Sequence, residues 1–115
     1  MDNTRIEYIV TLPDSYKVIV VLAYIMRRTR IDEFYRVYCD VFEKFAKITP
    51  PAYYIFVSQV KTLSQWGILV LKKHQGFLIV ELPKDMAKLI GNAISGNKTF
   101  EEIFRIAKEV VGEQQ

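Results

Sequence analysis

Between Asp14 and Arg28, apolar residues recur at the spacing of one helical face: Val18, Val21, Leu22 and Ile25 fall at i, i+3, i+4 and i+7. Leu12-Pro13-Asp14-Ser15 opens this stretch with residues suited to a helix start, and Arg27-Arg28 closes it with basic residues suited to a helix end. The run Val18-Ile19-Val20-Val21 alone would suit a strand, but it continues into Leu22-Ala23-Tyr24-Ile25-Met26, so a first helix is expected. A second follows. Ile31, Phe34, Tyr35, Tyr38, Val41, Phe42 and Phe45 keep the same spacing, with Asp32 and Glu33 in the first turn and Lys44 and Lys47 in the last. A third helix is expected from Pro50-Pro51, with Phe56, Val60 and Leu63 inward and Trp66-Gly67 as its stop.

The period then changes. Ile68-Leu69-Val70-Leu71 and Phe77-Leu78-Ile79-Val80 are short aliphatic runs, and Lys72-Lys73-His74-Gln75-Gly76 between them reads as the polar loop of a β-hairpin. Two more helices are expected, Pro83 to Ile94 and Thr99 to Val111, with Ser95-Gly96-Asn97-Lys98 as the turn between them. The second carries a capping box, Thr99-Phe100-Glu101-Glu102, and Gly112 as its stop. Residues 5–11 fit a strand or an irregular lead-in. The expected fold is therefore α+β and mostly helical: a winged helix-turn-helix of three helices and a β-hairpin wing, with additional C-terminal helices. It forms one domain over residues 1–115, its core at about 12–82 and its helical extension at about 83–112.

Composition narrows the chemistry. The 115 residues include one Cys and one His, which leaves no disulfide framework, no zinc cluster and no His-paired nucleophile. The glycines are scattered, and no phosphate-binding GxxxxGK[ST] loop occurs. Cys39 reads as an inert, half-buried thiol, and the acidic pairs Asp32-Glu33 and Glu101-Glu102 suit helix N-termini. The longest apolar run, Val18–Met26, falls well short of the roughly 20 residues that a membrane span needs. Met1-Asp2-Asn3-Thr4-Arg5 shows no signal-peptide pattern. A non-enzymatic cytoplasmic protein is expected, with no metal or cofactor.

The net charge of +3 is small, but it is unevenly spread. Residues 15–80 hold ten basic and four acidic side chains, a net of +6, while the segments before and after it net −2 and −1. Two clusters stand out: Arg27, Arg28 and Arg30 between the first two helices, and Lys72, Lys73 and His74 in the hairpin loop. Cations at such places meet phosphates when a protein grips a duplex. On the third helix the outward positions Tyr54, Ser58, Lys61, Thr62 and Gln65 complete the candidate DNA-binding surface. Only Lys61 among them is charged, and Gln59 and Gln65 are the side chains suited to adenine if they face out.

These elements in order resemble a known domain. Leu12-Pro13 leads into an apolar helix, Tyr35 and Tyr38 form a Tyr-x-x-Tyr pair, and Leu63, Gly67, Ile68 and Leu69 close the third helix. Over about residues 10–82 the pattern is similar to the C-terminal winged-helix domain of archaeal replication initiators, in the origin-recognition and cell-division-control family. The resemblance implies DNA binding through the third helix and the wing. The family carries this domain behind an ATPase module, which these residues do not include. It has paired arginines where this chain has Tyr54 and Ile55, and a Gly- and Arg-rich wing where this one has Lys72-Lys73-His74-Gln75-Gly76.

On the last helix Phe100, Ile103, Phe104, Ala107, Val110 and Val111 form one apolar stripe. It suits packing on the chain's own core or a homodimer contact, since helix-turn-helix proteins commonly bind duplex DNA as two-fold dimers. The expected function is a replication-initiator-like or transcriptional DNA-binding protein at the nucleoid. The alternative is a protein-interaction module in a replication or transcription assembly that uses Tyr53, Tyr54 and the last helix.

Overall fold

The computed structural model describes residues 3–113, with side chains from residue 7; the two residues at each end of the expected 1–115 domain lie outside the described residues. The elements are α1 (Asn3–Val10), α2 (Asp14–Met26), β1 (Arg28–Arg30), α3 (Ile31–Ala46), α4 (Tyr53–Gln65), β2 (Val70–His74), β3 (Phe77–Glu81), α5 (Lys84–Gly96) and α6 (Lys98–Glu113). Helices dominate, and the three strands form one antiparallel sheet in the order β1-β3-β2. The fold is α+β.

α2 is the central rod. Val18 to Ala23 are buried without interruption, because α3, α5 and α6 all pack on this helix. That explains a run richer in apolar residues than a single stripe requires. α6 closes over α2 and α3, burying Phe100, Ile103, Ala107 and Val110, with Phe104 and Val111 half-buried on the same core. The stripe weighed as a homodimer contact is therefore occupied within the chain, as the surface of α2 and α3 needs a cover.

Four local expectations change. Residues 5–11 belong mostly to α1, whose Ile9 enters the core. Arg28–Arg30, at the junction of the first two expected helices, forms strand β1, paired Arg28↔Glu81, Thr29↔Val80 and Arg30↔Ile79. Lys72, Lys73 and His74 are strand rather than loop, and only Gln75-Gly76 turns the hairpin, at φ of 51° and 84°. Two successive residues at positive φ make the tight turn whose twist matches the flanking strands. Finally, α6 starts one residue before Thr99. The Asn97 side chain accepts the Phe100 N–H at 3.1 Å in place of the expected capping box, and Gly112 lies within the helix. Asn97 alone separates α5 from α6.

α4 is held at both ends. It begins at Tyr53, not at Pro51, whose carbonyl instead accepts the Tyr35 hydroxyl at 2.8 Å. It ends in two bonds, Ile68 N–H to Leu63 O at 3.0 Å and Gly67 N–H to Ser64 O at 3.1 Å. That pairing needs the left-handed backbone of Gly67, at φ 77°. Along its length, Phe56 packs in an aromatic cluster of α3, with ring centroids 4.7 Å from Tyr38, 5.1 Å from Tyr35 and 5.6 Å from Phe34.

Tyr38 is fully buried there and its hydroxyl has no hydrogen-bond partner. Burial pushes that hydroxyl's pKa upward. An unpaired buried hydroxyl costs free energy that a phenyl ring does not. Tyr38→Phe is thus expected to raise stability by about 1 kcal/mol in urea denaturation; a loss of similar size would show that the hydroxyl is paired in solution.

Candidate nucleic-acid interface

Burying Phe56, Val60 and Leu63 turns the opposite face of α4 to solvent. Tyr54, Ser58, Lys61 and Gln65 are all exposed and lie along one stripe of the helix, at steps of four, three and four residues. Tyr54 is the most open of them, at 75%. Two other positions on α4 do not join the stripe as expected. The Gln59 side-chain carbonyl oxygen is buried without a partner, so it does not face out to meet a base. The Thr62 hydroxyl donates to Ser58 O at 3.0 Å, a bond within its own helix.

The sheet brings together two clusters that lie far apart in sequence. Side chains alternate across a strand, and the inward set includes Thr29, Leu71 and buried Val80. The outward set is therefore Arg28 and Arg30 on β1, Val70, Lys72 and His74 on β2, and Phe77, Ile79 and Glu81 on β3. Lys73 points to the other face. Arg27 leaves the group altogether: its Nε donates to Tyr24 O at 2.6 Å and its guanidinium lies 4.8 Å from the Tyr24 ring.

The cations on this face differ in what they already hold. Arg30 donates to both carboxylate oxygens of Asp32, at 3.1 and 2.9 Å, and stacks 3.8 Å from the Phe77 ring centre. Lys72 Nζ lies 3.0 Å and Arg28 Nε 4.0 Å from the same Glu81 oxygen, Oε2. Among the described residues, Lys61 and Lys73 form no ion pair. Of the candidate contact lysines these are the two that no carboxylate holds, since Lys72 is held by Glu81.

The Lys72 ammonium 3.0 Å away, with Arg28 beside it, holds the Glu81 carboxyl below its ordinary pKa. A carboxyl depressed in the folded state contributes stability above its unfolded value of 4.5 and loses it as pH falls through the lower folded value. An NMR titration should find the Glu81 midpoint below 4.5 and moving up toward it in Lys72→Ala. A midpoint that ignores the substitution would mean that the pair does not form in solution.

Sequence reasoning named the cations but missed Glu81 and Phe77, whose positions follow only from strand register. It named Tyr53 and Tyr54 as a protein-contact alternative but missed Ile48, which is 62% exposed; Tyr53 and Ile55 are open as well. Among the described residues no helix is long and apolar enough to cross a membrane. Compared with protein-family models, curated proteins and solved structures, the chain shows no significant match.

Proposed function

We propose that this chain is a winged helix-turn-helix that binds duplex DNA without catalysis, laying α4 in a groove while the β2–β3 hairpin, its wing, grips the backbone. The order of elements supports the reading: α2, α3 and α4 lead into a hairpin whose second strand also pairs with β1, between the first two of those helices. The observation that carries it is a charge gap. Between Glu43 and Glu81 the sequence has no carboxylate at all, and that segment contains the whole of α4, nearly all of the hairpin and five lysines. A surface that approaches a polyanion benefits from that exclusion, since each nearby carboxylate would repel phosphate.

The residues assigned to contact are Tyr54, Ser58, Lys61 and Gln65 on α4, with Lys72, Lys73 and His74 on the wing. Arg28 and Arg30 extend the basic face, whereas Arg27 is engaged with Tyr24. One lysine and no arginine or asparagine on the α4 stripe fits docking with weak base discrimination. The resemblance to archaeal replication initiators supports a role at the nucleoid in replication or transcription. A homodimer on DNA would have to form away from the α6 stripe.

The test is a titration of labelled duplex, followed by fluorescence anisotropy at ~50 and ~200 mM salt. Neutralising about four phosphates predicts an affinity loss on the order of a hundredfold across that range. No binding at the lower salt would overturn the reading. It would favour the second one, a protein-contact module, for which the open Ile48, Tyr53, Tyr54 and Ile55 around the start of α4 speak.

A further inference from the structure

Glu81 is the first carboxylate after the gap, and strand register places it among the cations of the sheet. β3 is the central strand, so Glu81 has neighbours on both sides: Arg28 directly across on β1, and Val70 across on β2 with Lys72 one diagonal step away. Both cations approach the single oxygen Oε2, at 3.0 Å for Lys72 Nζ and 4.0 Å for Arg28 Nε. We propose that Glu81 is an intramolecular competitor for phosphate: it holds Arg28 and Lys72 in place on the exposed sheet, and a backbone phosphate of duplex DNA replaces it between them. This rests on the duplex-binding function above and assigns Glu81 the role of setting its affinity.

Three features favour displacement over a fixed structural pair. The shared Oε2 is itself enclosed, but the Lys72 and Arg28 side chains around it are each more than half exposed, so a competing anion reaches both cations from solvent. Arg28 is poorly satisfied. Its Nε lies 4.0 Å from the carboxylate, beyond hydrogen-bonding distance, and among the described residues its guanidinium donates no hydrogen bond. A phosphate offers two oxygens to that fork and would engage it in full. Arg30 shows the contrast, because Asp32 already accepts from the whole Nε–Nη2 edge of its guanidinium.

The experiment compares duplex affinity and its salt dependence for the unaltered chain, Glu81→Gln and Glu102→Gln. Glu102 is an exposed α6 residue that forms no ion pair among the described residues, so its substitution makes the same change of charge elsewhere. Glu81→Gln should tighten binding roughly five- to tenfold near 0.1 M salt and steepen the salt slope by about one, the share of one freed phosphate contact. Glu102→Gln should change affinity less than about twofold. Adding Lys72→Ala and Arg28→Ala to Glu81→Gln should erase the gain. Glu81→Thr, which suits a strand, should move affinity in the same direction. Equal effects of Glu81→Gln and Glu102→Gln on a chain that binds would overturn the competitor role and leave duplex binding standing. Absence of binding by every variant at low salt would overturn both.

Discussion

Phe56→Ala is expected to cost the domain about 3–5 kcal/mol, the usual range for deleting a fully buried aromatic side chain. Phe56 is completely enclosed, and Tyr38, Tyr35 and Phe34 of α3 surround its ring. Those rings cannot all close on the space left behind, since two of them are also tied elsewhere: Tyr35 to Pro51 O, Tyr38 to Phe42. A domain of this size is stable by only about 5–15 kcal/mol, so the substitution removes a large share of that margin. Trp66, the single tryptophan, stacks with Tyr16 and meets Tyr8 edge-on at the end of α4, which makes its fluorescence a direct reporter of urea unfolding. A loss below about 1.5 kcal/mol would mean that the α3–α4 contact is looser than described. Function depends on that contact too. Phe56, Val60 and Leu63 are what fix the rotation of α4 and so keep Tyr54, Ser58, Lys61 and Gln65 outward.

How far the sequence disclosed this arrangement depended on the length of each signal. α3 and α4 were legible because Ile31 to Phe45, and Phe56 to Leu63, repeat helical spacing over several turns and end at recognisable stops. β1 was not. Arg28-Thr29-Arg30 has one inward residue, Thr29, and no alternation can be read from a single position. On β2 the outward Lys72 and His74 flank Lys73, which is polar although it points to the other face, so the strand looked like loop. Residues 5–11 misled in the opposite sense: Ile6, Tyr8, Ile9 and Val10 have strand preferences, yet α1 packs against α5 as a helix. The α6 stripe suited the chain's own core or a second copy equally, because what covers it is a three-dimensional fact. Only the unbroken burial of α2 shows that the chain itself fills that role.

The candidate surface divided in the same way. The exposed stripe on α4 followed from period alone, because its inward residues fixed the phase. The gathering of Arg28, Arg30, Lys72 and His74 did not, because it requires the pairing of β3 with both β1 and β2. Glu81 was invisible as a participant for that reason: in sequence it simply ends a strand, while in the sheet it faces two cations.

The second large effect belongs to the two candidate contact lysines that form no ion pair among the described residues. Lys61 lies on the α4 stripe and Lys73 near the end of the wing, and among the described residues neither gives up an ion pair before it can meet phosphate. Each phosphate contact contributes a factor of about eight in affinity near 0.1 M salt through counterion release. Replacing both by alanine should therefore weaken duplex binding by about sixtyfold and reduce the salt slope by about two. Neither side chain is buried, so the melting temperature should hardly move. Lys88 and Lys98 are exposed on α5 and α6, away from the carboxylate-free segment, and provide the matched control.

The decisive measurement is the salt slope of duplex binding for Lys61→Ala/Lys73→Ala beside Lys88→Ala/Lys98→Ala. DNA docking through α4 and the wing predicts a slope lower by about two for the first pair and nearly unchanged for the second. Equal slopes for both pairs would contradict it, because the phosphates would then be meeting some other face of the domain.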